Sequence, residues 1–410
     1  MSGFPSRCDT VVIGGGILGC SVAYHLARLG AESVVLIERN TLAAQATSQA
    51  AGLLTKARPK PAQIPLVQRT YAAIRELEEE LGDSLACRIT GSLHVATSST
   101  AQADLEKLLH TADQFGIPVK MLDAREARHQ VPWLEPHGAR TLVLMPEDGI
   151  IDPYLLATAY ARAARRQGVQ VFCGVAGQRL LVERGTACGV LTSAGPIHSR
   201  CVVDACGAWA GLLALPLDAW LPFAPVRSHY WITGPEADYP RDMPYAILPD
   251  AKSYIRPEQG GLIIGVREAQ SLTVDARSLP ADLTGVSFGD VTDGWMLLLE
   301  EYQELHHLYP GIAEVRLTKF ITGLSTYTPD GQFVLGPVSE LPGYLVVSGC
   351  CGAGVAASGG LGLAAAELAA GQHPSFDLGP FRPERFGEVD PFTPEFRERC
   401  SAARSQKLSG

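Results

Sequence analysis

The chain has 410 residues, 46% of them hydrophobic and 19% charged, with a formal net charge of −9. That length buries a large core and suggests two or three domains, while the acidic balance excludes a nucleic-acid partner, because phosphate binding needs a basic face. It also gives no support to an anionic membrane surface as a partner. Ten cysteines are scattered without a CxxC. No Cys/His cluster has metal-ligand spacing, so reduced thiols, a cytoplasmic location and no metal centre are expected.

The first strand arrives without a basic-then-apolar leader, so no signal peptide is expected. The run VVIGGGILG, Val11 to Gly19, ends in Gly14, Gly16 and Gly19 at GxGxxG spacing. A helical pattern follows through Leu18, Val22, Leu26 and Leu29, and the strand SVVLIE closes on Glu38. Gly14 permits a tight turn, Gly16 a close backbone approach to a pyrophosphate, and Gly19 close helix–strand packing. The helix N-terminus, with Ile17 and Leu18, offers free N–H groups to phosphate. Glu38 is placed to accept a ribose hydroxyl. The stretch binds an adenine dinucleotide.

Residues Arg39 to Leu54 suit a loop beside the ligand. Amphipathic helices are expected over Gln63–Gly82 and Ser99–Phe115, with a strand at Gly91–Thr97 between them and an irregular stretch to Met145. Asp152-Pro153 starts a helix that ends at Gly168. A strand, Val169–Phe172, precedes an antiparallel set from Gln178 to Val203. Its last strand enters DACGAWA, a second glycine turn. RSHYWIT, SYIRPE and LIIGVRE read as a sheet with one exposed face. Asp293 to Tyr309 reads as one helix, and TGLSTYTPDGQFVLG as a loop. The stretch from Gly343 to Ala366 carries no charge and is long enough for a membrane, but six of its glycines are poor in a helix interior. A strand, a glycine turn and a small-residue helix are expected there, with no membrane span. After Glu388 the tail is polar and expected to be loosely held.

Together VVIGGGILGCSVAYHLARLG, SVVLIERN, TSQAAGLL, VVDACGAWA, TYTPDGQFVLG and SGCCGAGVAASGGLG resemble the glycine oxidase, sarcosine oxidase and D-amino-acid oxidase superfamily of FAD enzymes. The likeness is nearest to the flavin domain of sarcosine and dimethylglycine dehydrogenases. The resemblance implies an α/β (α+β) fold with a discontinuous Rossmann-like FAD-binding domain and a mixed-sheet substrate domain. Residues 1–90, 146–220 and 321–387 would form the first, 91–145 and 221–320 the second, and 388–410 the tail. It implies that Gly14, Gly16 and Gly19 hold the pyrophosphate and Glu38 the ribose, with Arg39 beside the adenine. Thr47, Ser48, Gln49, Ala51, Gly52 and Leu53 would follow the cofactor toward its flavin. Val175 would meet the adenine through its backbone, and Ala205, Gly207 and Trp209 belong to the second turn. Gly323 and Gly352, Ala353, Gly354 and Val355 would line the flavin ring, with the following helix aiming its N-terminus at it.

The departures from the family pattern are informative. The histidine that attaches flavin in related dehydrogenases is Gln49 here, and the attaching cysteine of sarcosine oxidases falls at Gly323. Non-covalent FAD is therefore expected. The carboxylate-clamping arginine of glycine oxidases is Ser325, and the corresponding lysine of sarcosine oxidases is Ala356. Either Arg256 or Arg227 replaces them, or the substrate is not a simple amino acid. The lysine linked to dioxygen activation in sarcosine oxidases is Ile263, which favours a dehydrogenase.

Tyr254 and Arg256 share a strand face, so Arg256 is a candidate carboxylate clamp and Tyr254 a candidate amine-orienting group. A packed tyrosine and an exposed arginine would show the same spacing. His229 and Tyr230 point to opposite faces, so at most one of them faces the site. Tyr327 is a candidate substrate contact. His306 and His307 are expected to face solvent, and Cys350 and Cys351 to be small buried residues.

The expected activity is oxidation of the C–N bond of a secondary or N-alkylated amine or amino acid by hydride transfer to flavin, the imine then hydrolysing. The partners would be that amine and either dioxygen or an electron-acceptor protein, and a hetero-oligomer is compatible with the sequence. Two alternatives stand beside this: a glycine or D-amino-acid oxidase, and a flavin-carrying or non-catalytic member of a larger assembly.

Overall fold

The strand Arg7–Ile13 is apolar on both faces from Val11 onward because both faces of its sheet are covered, Val12 packing in one core and Val11 and Ile13 in another. Val11 pairs with Val35 on one side and with Val202 on the other. The second contact joins residues far apart in sequence, and it organises one of two eight-stranded sheets. The computed structural model describes residues 3–235, 239–283 and 285–407. The expected substrate domain's residues 236–238 and 284 lie outside the described residues, as do the first two residues of the chain and the last three of the tail.

In the first sheet the order is Val334–Pro337, Tyr344–Ser348, Gly195–Asp204, Arg7–Ile13, Val34–Glu38 and Gln170–Cys173. Thr186–Thr192 and Gly177–Glu183 extend it antiparallel from Gly195–Asp204. Helices Ile17–Arg28, Ile64–Leu81, Pro153–Arg166 and Ser358–Ala369 pack together over one face. Asp152 caps the third of these, accepting from the amides of Tyr154 and Leu155.

The glycines of the uncharged stretch serve helix packing. A Cβ on Gly360 would stand 2.3 Å from Leu66 Cα, and one on Gly362 would stand 2.1 Å from Ser21 Oγ. Helices this close exclude side chains larger than hydrogen. Among the described residues no helix is long and apolar enough to cross a membrane.

The second sheet runs Leu317–Tyr327, Ala224–Thr233, Gly261–Val266, Ser253–Glu258, Tyr245–Leu248, Ser92–Ala96, Thr141–Met145, Lys120–Met121. It is mixed, because Tyr245–Leu248 and Ser92–Ala96 pair in parallel. Neither face of Gly261–Val266 is exposed, unlike the expectation. Trp133, Leu305, Leu308 and Tyr309 belong to the core that covers one side of this sheet.

Several elements differ from the sequence reading. The stretch before Met145 holds a helix, Ala124–Gln130, started by a capping box between Asp123 and Glu126. The helix expected over 293–309 is two, Val291–Glu300 and Tyr302–Leu308. The segment TGLSTY is strand rather than loop: it finishes Leu317–Tyr327, which pairs with Ala224–Thr233 along its length. That strand runs across the domain boundary expected at 321. The tail is the largest correction. Residues Pro394–Ser405 form a helix that buries Phe396, Cys400 and Arg404. Phe396 and Cys400 share a core with Ala224, Val226, Tyr327 and Cys351. Burying an aromatic ring against the second sheet outweighs the polar average of the segment.

Candidate functional site

A cavity of about 490 Å³ runs from the first glycine turn to the meeting place of the two sheets. At its entry end Gly14 has φ +107°, and a Cβ there would lie 2.5 Å from Ala205 O. A Cβ on Gly19 would lie 1.9 Å from Gly14 O, so the helix can leave the strand at this angle only with glycine at 19. Gly16 differs: the nearest atom to its Cβ position is Thr47 Oγ1 at 3.5 Å, which leaves its face open to the cavity. The helix that starts after Gly16 has no acid in its first turn. Its N-terminal N–H groups and positive dipole end therefore face a space suited to phosphate.

Glu38 is pinned beside this turn, accepting from Gly15 N at 2.7 Å and from Asn40 N at 2.8 Å. The Arg39 guanidinium lies 3.9 Å from the Trp209 ring centre. These two, with Val175, Ala205 and Gly207, line the same end. Thr47 accepts from Ile17 N at 3.1 Å, and Thr47, Gln49, Ala51, Gly52 and Leu53 carry the wall onward with Ile17 and Leu18. The glycine cradle, the open face of Gly16 and the pinned carboxylate fit an adenine dinucleotide.

Three residues expected on this wall lie off it. Ser48 is exposed and its hydroxyl donates to Gln45 O. Ala353 is packed in the helix core. Gly19 sits behind the turn, where its role is the close contact already described.

At the far end, Gly323 lets Gln49 approach: a Cβ there would stand 2.5 Å from Gln49 Oε1. Gly352, at φ +69°, does the same for the Tyr327 hydroxyl at 2.6 Å and Lys407 Nζ at 3.0 Å. Gly354, Val355 and Cys350 complete this part of the wall. Burial pushes the Cys350 thiol up to about 12. Tyr254 lies over Gly265, where no side chain would fit, and lines the cavity with Tyr230 and Tyr327. Tyr327 is pushed up to about 12 by burial. His229 also lines the cavity, so the expectation that only one of His229 and Tyr230 reaches it is corrected. Its Nδ1 lies 3.0 Å from Glu268 Oε1, and burial lowers its pKa, with Glu268 opposing that shift.

Neither arginine named as a carboxylate clamp reaches the cavity wall. Arg256 is held 2.6 Å from Glu258 and donates to Pro257 O. Arg227 donates to Glu268 at 2.8 Å and to Phe288 O at 2.6 Å. The cations on the wall at this end are instead Arg267, Arg404 and Lys407. Arg267 directly follows the strand Gly261–Val266, one strand over from Arg256. The other two come from the segment read as a loose tail. Burial lowers Arg267 to about 10, with Arg404 the next cause. Lys407 is lowered well below its ordinary value by burial, then by Arg58, Arg404 and Arg267. Among the described residues Glu38 is the one acid on the whole wall, and it lies at the entry end.

Away from the cavity, Glu183, Cys188 and His198 bring ligand-type atoms within 4.8 Å of one another on adjacent strands. Strand pairing gathers them, which linear spacing did not show. His306 and His307 are exposed, the latter 3.0 Å from His137 O.

The chain is 29% identical to human mitochondrial sarcosine dehydrogenase over 93% of its own length and 42% of the relative's. It is 27% identical to the mitochondrial pyruvate dehydrogenase phosphatase regulatory subunit of Mus musculus, over 94% of its own length and 44% of that protein's. The chain thus spans less than half the length of these curated relatives. The crystal structure of L-proline dehydrogenase from P. horikoshii superposes with a TM-score of 0.82 at 25% identity, covering 94% of this chain and all of that one. The family model described as FAD dependent oxidoreductase matches residues 9–368. With the dinucleotide cradle, this places the chain in the FAD-dependent oxidoreductase (DAO) family, and its cofactor is FAD.

Proposed function

We propose that the protein oxidises the C–N bond of a secondary or N-alkylated amine or amino acid, giving an imine that water then hydrolyses. The observation that carries the reading is the far end of the cavity, where Tyr254 and Tyr327 face a wall of cations with no acid among them. Such a wall orients a carboxylate-bearing amine, and the reaction asks for position more than for a catalytic acid or base. Sarcosine and L-proline, named in the two dehydrogenases above, are both secondary amines, which supports this class over glycine or D-amino acids.

Gly14, Gly16, Thr47 and the first helix would hold the pyrophosphate, Glu38 the ribose, and Gln49, Gly323, Gly352 and Gly354 the ring. FAD supplies the hydride acceptor. Tyr254 and Tyr327, both raised by burial, stay protonated and act as hydrogen-bond donors to the substrate. Gln49 and Gly323 stand where relatives attach flavin, which supports non-covalent binding.

Acid precipitation of the purified protein should leave FAD in the supernatant, and anaerobic addition of N-methyl amino acids should bleach the flavin. Bleaching by glycine or D-amino acids alone would move the assignment to the oxidase alternative, and no bleaching by any amine would overturn both. The rate at which colour returns in air separates dioxygen from an acceptor protein as oxidant.

A second reading, a flavin-carrying subunit of a larger assembly, is favoured by one surface. Val291, Trp295, Met296 and Leu299 are all exposed on the helix Val291–Glu300. Apolar residues grouped in this way mark interaction sites. Light scattering across a concentration series, with and without Met296→Lys, tests it.

A further inference from the structure

Among the described residues, none of the cations at the far end of the cavity forms an ion pair, and Glu301, which acts on Arg267 from a distance, is itself paired with Lys252. Arg267 is 3% exposed, and its Nε has no hydrogen-bond partner among the described residues. Arg404 is 6% exposed, and its Nε donates to the Ser228 hydroxyl at 3.3 Å, a neutral partner. Lys407 Nζ stands beside Gly352 on the turn that lines the flavin end. The acids nearby are committed elsewhere: Glu268 to Arg227 and His229, Glu301 to Lys252 at 2.5 Å, and Glu258 to Arg256. The phosphates of FAD cannot supply the balance, since their cradle is at the first helix. Two buried arginines and a lysine left unpaired are costly unless an anion arrives with the ligand.

A substrate with one carboxylate would balance only one of these charges. The amine must be unprotonated to give up hydride from its neighbouring carbon, so its nitrogen neither adds to nor cancels the deficit. Two carboxylates would neutralise both arginines. Lys407 Nζ, beside Gly352, adds a further donor at the same end of the cavity.

Resting on the assignment above, we propose that Arg267, Arg404 and Lys407 select an amine bearing two carboxylates, with the C-terminal helix Pro394–Ser405 delivering part of the recognition set. Arginine forks bind carboxylates bidentately and hold their orientation, which a lone lysine does not.

The test uses the FAD-loaded protein and two thioethers that cannot form an imine, thiodiacetate and methylthioacetate. They differ by one carboxylate, and binding is read from the flavin absorbance change. Thiodiacetate should bind at least about tenfold tighter, as expected for one added charge-assisted contact. Arg404→Gln and Lys407→Met should each reduce that preference, Arg404→Lys should keep part of it, and Arg256→Gln should leave it intact. Flavin content and melting temperature report whether each variant is folded. Equal binding of the two thioethers, or an unchanged preference in folded Arg404→Gln and Lys407→Met, would overturn the proposal. Because this readout needs no turnover, a preference found in a protein that oxidises no amine refutes the activity and leaves the binding assignment standing. Oxidation of amines without the preference does the reverse.

Discussion

Arg227 donates from Nε to Glu268 Oε1 at 2.8 Å, behind the cavity wall, where both side chains are nearly buried. That bond fixes the arginine away from the cavity and keeps Glu268 ionised beside His229. Burial alone would raise the Glu268 carboxyl, but His229 and Arg227 hold it down to about 2. A carboxyl lowered in the folded state contributes stability above its ordinary value of 4.5, and the contribution drains as pH falls toward 2. Glu268→Gln should therefore cost on the order of 3 kcal/mol at pH 7. The gap between the two proteins in urea melts should narrow steadily below pH 4.5.

Arg256 pairs with Glu258 and does not line the cavity. Arg256→Gln should leave carboxylate affinity within about twofold of the parent. Arg267→Gln, on the neighbouring strand, should weaken it about tenfold or more by removing a charged hydrogen-bond donor. Titration of the flavin absorbance checks both.

Phe396 anchors the C-terminal helix against Ala224 and Tyr327. Phe396→Ala should destabilise by about 3 kcal/mol through lost burial and the cavity left behind. Because the same helix carries Arg404, ligand affinity should fall as well, while FAD content stays near stoichiometric. Calorimetry and flavin absorbance separate the two effects.

At the other end, Gly19→Ala should do the opposite. Its methyl group would meet Gly14 O at 1.9 Å, and backbone cannot yield as a flexible side chain would. The overpacking should cost about 1–3 kcal/mol, and the protein should be recovered largely without FAD. The flavin-to-protein absorbance ratio measures it.

The adenosine end was legible because its signals are local: strand, glycine turn, helix and acid fall within Val11 to Glu38. The substrate end was not. Arg256 and Arg267 sit on paired strands, and alternation along a strand tells which face a residue takes but not which strand passes the cavity. The TPDG signature in TGLSTYTPDG drew that segment toward a loop, whereas pairing with Ala224–Thr233 keeps it extended as far as Tyr327. Lys407 and Arg404 looked like tail charges because nothing near them in sequence shows that Phe396 would be buried. Ser325 and Ala356 left either Arg256 or Arg227 as the clamp, or a substrate that is not a simple amino acid; both arginines turn away from the cavity, and the cations that line its far end are Arg267, Arg404 and Lys407.

The pairing of Val11 with both Val35 and Val202 also governs when the cofactor can bind. The glycine turn is read first in the chain, yet its floor includes Ala205, and the ring end waits for Gly352. Parallel contacts across such sequence separations carry a loop-closure cost and form slowly. A refolding chain would thus show its helices early and acquire the protected flavin last. FAD would then lock a fold already assembled, and quenching of its fluorescence should lag the helical signal when the chain refolds.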